Sequence, residues 1–236
     1  MFDNHFITAI IPAAGSGKRM NAGKVSKVYL KLLGKAVLQW TVEAFEKNEY
    51  VDRIIVAVRP EEVDYCRSEI IPKEKYPKAD TIIPGGKERY DTVLEALKCA
   101  GDSDLVLVHD GARPLVDQET IDECVRTAAR KGCCIAAVPV KDTIKTAEEG
   151  VVTATPDRKT LFAVHTPQAF VCREIREAIE KGLKDGFRGT DEASFAEKQG
   201  KKVFIVDSKY DNIKVTTSDD LIIAEALLKK REEKQE

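Results

Sequence analysis

Apolar positions along this chain follow two rhythms. Short unbroken apolar runs bounded by glycine, proline or aspartate recur in ITAIIPAAG, DRIIVAVRP, ADTIIPGG, DLVLVHDGARP, CCIAAVPV and KKVFIVDS. Runs of this length and composition read as strands buried on both faces. Between them lie stretches of helical period. KAVLQWTVEAFEKN places Val37, Trp40, Ala44 and Phe45 on one face, and EEVDYCRSEII also looks helical. ERYDTVLEALKCAG is closed by Gly101, and DQETIDECVRTAARKG has Asp117 as N-cap and Gly132 as stop. REIREAIEKGLKDG, a capped TDEASFAEKQG and a last segment from about Ser218 complete the helices. Strands alternating with helices predict βαβ units, a mostly parallel sheet and helices on both faces. In such sheets ligands sit beyond the carboxyl ends of the strands. That singles out the loops after Pro12, Ile83 and Val108. The stretch from Lys141 to Arg158 departs from the pattern: two short alternating runs around EEG predict a hairpin. A lone hairpin is marginal in water, so this one is expected to pack on something.

Composition narrows the class. The 236 residues are 43% hydrophobic, enough for one sizeable core, and no Pro/Gly/Ser-rich linker divides them. One domain over 1–236 is expected, with 139–160 as a β-arm subregion. Charged residues make up 33% of the chain yet the net charge is only −2, which argues against general nucleic-acid binding. The N-terminal segment has no positive n-region, and no apolar run reaches membrane length, so no membrane partner and a cytoplasmic location are expected. Cysteines at 66, 99, 124, 133, 134 and 172 form no C-x-x-C, and the three histidines hold no ligand spacing, which disfavours zinc. Cys99 and Cys124 read as small buried hydrophobes.

The three loops carry the candidate chemistry. AAGSGKRM has Gly15 and Gly17, but Met20 stands where a dinucleotide fingerprint needs its third glycine, and the loop is not a P-loop. Its small residues let successive backbone N–H groups approach an anion, with Lys18, Arg19, Lys24 and Lys27 nearby. An ordinary βα turn with solvated lysines is the alternative; strand, glycines and cations together favour phosphate. PGGKERYDTV offers Gly85 and Gly86 as backbone beside a flat base, with Thr92 as a hydrogen-bonding group, or else a plain tight turn. VLVHDGARP puts Asp110 past a buried strand, where a Mg²⁺ ligand beside a phosphate site belongs, or where an aspartate could cap a turn. Arg113 adds a guanidinium fork for a phosphate. Lys214, in KYDNIKVTTSDD, is a candidate cation or a surface lysine.

PAAGSGKRM with its following lysine, GGKERYDTV, VHDGARP, VPVKDTIK, HTPQAF, TDEAS and DNIKVT occur in this order across nearly the whole chain. Together they resemble the 2-C-methyl-D-erythritol 4-phosphate cytidylyltransferase family, the third enzyme of the non-mevalonate isoprenoid pathway. The resemblance implies a Rossmann-like nucleotidyltransferase domain, CTP and 2-C-methyl-D-erythritol 4-phosphate as substrates, Mg²⁺ as cofactor, and a homodimer whose hairpin arm reaches over the partner subunit. It implies that the substrate phosphate attacks the α-phosphorus of CTP and expels pyrophosphate. Arg19, Lys27 and Lys214 would neutralise phosphate charge; Asp110, with Asp211, would hold Mg²⁺. Ala13, Ala14, Gly15, Ser16 and Gly17, with Gly86, Arg89 and Thr92, would seat the cytidine nucleotide. Asp110, Arg113 and Thr166 would face the second substrate from one subunit, and Thr143 and Arg158 from the other. Two positions depart from the family pattern: Ser26 replaces a proline before Lys27, and Lys87 stands where an acidic residue is usual. Ribitol-5-phosphate cytidylyltransferase is the nearest rival. That family tends to carry different segments before TPQ and at TDEAS. A dinucleotide-dependent oxidoreductase is disfavoured by Met20 and by Val58-Arg59-Pro60, where a ribose-binding acid would stand. A non-catalytic nucleotide-binding protein is disfavoured by retention of Arg19, Lys27 and Asp110.

Overall fold

A computed structural model of the chain describes residues 2–15 and 26–233. Its strands, in chain order, are β1 (Ile7–Pro12), β2 (Lys31–Leu32), β3 (Lys35–Ala36), β4 (Arg53–Val58), β5 (Thr81–Pro84), β6 (Leu105–Val108), β7 (Cys133–Pro139), β8 (Thr146–Glu148), β9 (Val151–Ala154), β10 (Phe162–Val171) and β11 (Phe204–Asp207). The helices are α1 (Val37–Glu46), α2 (Val63–Tyr65), α3 (Arg89–Cys99), α4 (Gln118–Lys131), α5 (Cys172–Lys184), α6 (Glu192–Lys198) and α7 (Ser218–Glu232).

Seven strands form one sheet in the order β11-β7-β10-β6-β1-β4-β5. β1 lies inside it, parallel to β4 on one side and to β6 on the other, and β5 extends the parallel set beyond β4. Alternate side chains of β1 enter opposite cores, as the two-residue strand period requires. Ile7, Ala9 and Ile11 pack with Leu38, Val42 and Phe45 of α1 and with Ile121 and Val125 of α4. Ile10 joins Val93 and Leu97 of α3, Ile175 and Ile179 of α5, and Phe195 of α6. Both faces are thus covered, which is why the strands are apolar throughout. The α4 boundaries are those the sequence predicts: the Asp117 carboxylate accepts from Thr120 N, and Gly132 ends the helix at φ +88°.

Four findings go beyond or against the sequence reading. β10 is antiparallel to both β6 and β7, interrupting an otherwise parallel sheet. The EEVDYCRSEII segment is not one helix. A 3₁₀ turn at Pro60–Glu62, the single turn α2 and a π turn at Cys66–Ile70 succeed one another. The wide turn, closed by Ile71 N donating to Cys66 O, leaves both Cys66 and Ile70 buried against the sheet. β2 and β3 make a small hairpin that the pattern did not announce. Cys99 is exposed, because it ends α3 on the solvent side, whereas Cys124 is buried as expected.

The hairpin expected between Lys141 and Arg158 is present as β8 and β9, joined by Glu149 and Gly150, both at positive φ. Two consecutive left-handed residues match the twist of the flanking strands. Every residue of 141–155 is exposed. No helix among the described residues is long and apolar enough to cross a membrane.

Candidate active site

The carboxyl ends of β1, β5 and β6 converge on one cleft, lined by Ala13, Gly15, Gly86, Arg89, Asp110 and Lys214 among others. The loops meet without room for a side chain. A Cβ on Gly85 would lie 2.3 Å from Ala14 Cβ, and one on Gly111 would lie 3.0 Å from Ala13 Cβ. Glycine at these positions therefore serves close approach of backbone to backbone. Thr92, 3% exposed, holds the glycine turn: its hydroxyl accepts from Gly86 N at 3.0 Å and donates to Glu88 O at 3.1 Å.

Asp110 is the hub. The residue is 8% exposed and its carboxylate is surrounded by cations. Oδ1 accepts from Arg89 Nε at 3.3 Å, Oδ2 accepts from Lys214 Nζ at 2.7 Å, and Arg113 Nε lies 3.7 Å from Oδ2. Burial alone would raise the Asp110 pKa. Arg89 first, then Lys214 and Arg113, overcome that and hold it well below the usual carboxylate range. The same contacts, with Glu192, raise Arg89 against its own desolvation. Lys27 reaches the neighbouring segment, its Nζ donating to Val215 O at 3.1 Å. Val215 N in turn donates to Ala112 O at 2.8 Å, stitching the Lys214 segment to the loop after β6.

Behind Asp110 the hydrogen bonds run in one direction. Arg113 O can only accept, so His109 Nε2 carries the proton and donates to it at 3.1 Å. His109 Nδ1 is then the acceptor, and Thr166 Oγ1 donates to it at 3.0 Å. Thr166 Oγ1 accepts from Asp110 N at 3.1 Å. Burial pushes the His109 pKa down to about 4, which matches a neutral ring. Asn212, 1% exposed, fastens the rear: its carbonyl accepts from Arg113 Nη1 at 2.6 Å, and its Nδ2 donates to Thr166 O at 2.9 Å.

The structure brings Ala13, Ala14, Gly15, Lys27, Gly86, Arg89, Thr92, Asp110 and Lys214 to the cleft. Ser16, Gly17 and Arg19 lie outside the described residues, as do Lys18 and Lys24. Arg113 and Thr166 stand directly behind Asp110, with the Thr166 hydroxyl committed to His109 and Asp110. Thr143 and Arg158 are exposed on the arm, where Arg158 Nη1 donates to Lys141 O at 2.7 Å; neither lines this cleft. Asp211 has an ion-pair partner of its own. Its Oδ2 accepts from Arg231 Nη2 at 2.8 Å, an arginine supplied by α7. Among the described residues no three His, Cys, Asp or Glu side chains gather as a metal site. A carboxylate has about four lone-pair sites, so the contacts from Arg89 and Lys214 leave Asp110 able to offer an oxygen to a divalent ion shared with bound phosphates, whereas Asp211 is paired with Arg231. Glu192, Asn212, His109 and Gln168 were given no role by the sequence reading. All four lie within quoted motifs, His109 in VHDGARP, Gln168 in HTPQAF, Glu192 in TDEAS and Asn212 in DNIKVT, and that membership was the one available signal.

Known proteins with this sequence and fold agree on one family. The family model for 2-C-methyl-D-erythritol 4-phosphate cytidylyltransferase matches residues 7–230. A protein of that name from Bacillus mycoides is 47% identical over 221 residues, covering 94% of this chain and 97% of the relative. One from Geobacter metallireducens is 41% identical over 229 residues, covering 95% and 98%. The crystal structure of 4-diphosphocytidyl-2C-methyl-D-erythritol synthase from Anaerococcus prevotii superposes with a TM-score of 0.82 at 33% identity, covering 95% of this chain and 96% of that one. Sequence, sheet order and cleft thus converge: the chain belongs to the 2-C-methyl-D-erythritol 4-phosphate cytidylyltransferase family.

Proposed function

We propose that the protein transfers CMP from CTP to the phosphate of 2-C-methyl-D-erythritol 4-phosphate. The products are pyrophosphate and 4-(cytidine 5'-diphospho)-2-C-methyl-D-erythritol, an isoprenoid precursor intermediate. One observation carries this reading beyond family membership: a buried carboxylate, Asp110, gathers Arg89, Lys214 and Arg113 at the carboxyl ends of the sheet.

The attacking group is a phosphate oxygen, already an anion at pH 7, so the reaction needs no general base. Two titratable groups at the site are poorly placed for that role. His109 has both ring nitrogens engaged, and Asp110 is held ionised by its cations. What remains is alignment and neutralisation of charge on the α-phosphorus as it becomes five-coordinate, which fixed cations supply without reorganisation. Lys214 and Lys27 serve the α-phosphate region, together with Arg19. The Gly86 turn, braced by Thr92 and flanked by Arg89, seats the nucleotide, and Arg113 and Thr166 organise the wall next to the second substrate. Nucleotidyltransferases of this kind generally depend on a divalent cation, and a Mg²⁺ brought with the triphosphate would be held by Asp110 and would supply further neutralisation of phosphate charge.

The described residues form one nucleotidyltransferase domain with 139–160 as an arm. Val151 and Val152, 69% and 57% exposed, leave the hairpin without a core of its own, which supports a homodimer in which the arm packs on the partner. Thr143 and Arg158 then complete the partner's substrate site. The deciding experiment is pyrophosphate release from each nucleoside triphosphate with methylerythritol phosphate or ribitol 5-phosphate. Turnover is expected with CTP and methylerythritol phosphate. Equal rates with UTP, or preference for ribitol 5-phosphate, would overturn the assignment.

A further inference from the structure

We infer that Glu192 is a positioning residue for the transfer reaction, fixing the guanidinium of Arg89 against Asp110 and so setting the arrangement and net charge of the cation cluster. Its kinetic readout rests on the reaction proposed above; its geometry does not.

Glu192 opens α6 and is 1% exposed. A carboxylate that deep is costly unless it is paired. Among the described residues it has one side-chain partner: Oε1 accepts from Arg89 Nη1 at 2.5 Å, while Oε2 is buried with none. Arg89 turns its Nε and Nη2 edge to Asp110 Oδ1, each at 3.3 Å. One planar guanidinium therefore joins two carboxylates, a geometry that an ammonium group could not copy. Glu192 is not among the residues lining the cleft, whereas Arg89 and Asp110 are. Its route to the substrates runs through Arg89.

Glu192 is itself held from both sides. Gln168 on β10, 1% exposed, donates from Nε2 to Asp191 Oδ2 at 2.8 Å and accepts at Oε1 from Ala193 N at 3.1 Å. Asp191 Oδ1 also caps the helix by accepting from Ser194 N at 3.0 Å. The residues before and after Glu192 are thus pinned to the same strand that carries Thr166. A buried ion pair of this kind is a poor source of stability, and its usual worth is one defined arrangement. Here that arrangement matters electrostatically. Burial raises the Glu192 pKa and the ion pair with Arg89 works against that rise; ionised in that pair, Glu192 neutralises from behind one of the three positive charges that Arg89, Arg113 and Lys214 set against Asp110. Without it, Arg89 is free to leave Asp110 for an incoming phosphate.

Glu192→Gln keeps the length and an acceptor oxygen for Arg89 and removes the charge. The variant should fold, show kcat lowered by on the order of tenfold or more, and show KM for CTP changed by less than about threefold. The Arg89 Nε–H, followed by ¹⁵N NMR, should exchange with solvent faster than in the unsubstituted protein. In an Arg89→Met background the same substitution should leave kcat where Arg89→Met alone puts it, since non-additivity marks residues acting as a unit. An unchanged kcat, or an equal loss in both backgrounds, would overturn the inference. If the Arg89→Met protein does not fold, exchange at Arg89 Nε–H in Glu192→Gln decides, and an unaltered rate overturns it. A parent protein inactive on CTP and methylerythritol phosphate would sink the reaction assignment instead, and the exchange rate would still decide the role of Glu192.

Discussion

His109 shows how one residue's burial becomes a property of the protein. Its ring is fully buried, bonded on both nitrogens and packed 4.9 Å from the Phe45 ring centroid. Burial lowers its pKa from 6.5 to about 4. In the unfolded chain it takes a proton near 6.5, so between those values the unfolded state binds more protons than the folded one. Its contribution is complete above pH 6.5 and is lost as pH falls to about 4, amounting to about 3 kcal/mol for this residue. His165, also pushed down to about 4 by burial, acts in the same direction. Denaturant unfolding at pH 7 and pH 4.5 should show the loss, and His109→Asn should shrink it; an equal loss in the variant would discount His109. The sequence exposed Asp110, Arg113, Lys27 and Lys214 as candidates because cations and a carboxylate at strand ends are visible in one dimension. It did not expose which partner each would choose. Asp110 meets Arg89 because α3 starts beside the end of β6, and Asp211 meets an arginine 20 positions later because α7 folds back over Leu115.

At the scale of elements, the loops after β1 and β5 behave as one packed unit. The missing side chain of Gly85 is where Ala14 sits, with 2.3 Å between the two Cβ positions. Gly85→Ala should cost about 1–3 kcal/mol by overpacking and widen the nucleotide end of the cleft. Differential scanning calorimetry with a CTP titration checks both, and an unchanged melting temperature would show that the loops part freely. Most helices and parallel strands were legible because their periods and stop signals, such as Asp117 and Gly132, act locally. β10 was not legible as antiparallel: strand direction is set by which neighbours it finds, and FAVHTPQAFV reads the same either way. The Pro60–Ile70 region escaped for a related reason. Its apolar spacing satisfies a helix, while burial of Cys66 and Ile70 selects a wider turn.

For the whole molecule, the exposed arm is the main commitment. If Arg158 serves the partner's site, Arg158→Ala should damage use of methylerythritol phosphate and spare CTP binding, since a guanidinium can grip a dianionic phosphate through two oxygens. Mixing inactive Arg158→Ala with inactive Lys27→Ala protein and allowing subunit exchange should restore activity, up to about half the normal rate per heterodimer if the two sites are independent. Confirmed exchange without recovery would place Arg158 in its own subunit's site. The insertion of β10 has another consequence, for birth rather than catalysis. On a ribosome, residues up to 108 can already assemble the β5-β4-β1-β6 half, and β7 emerges soon after. Yet in the sheet β7 is hydrogen-bonded to that half only by way of β10, so the nascent chain must wait for residues 162–171 before its two halves become one sheet. Until then the edge of β6 stays open, and a translational pause ahead of that strand would lengthen the interval in which another chain could claim it.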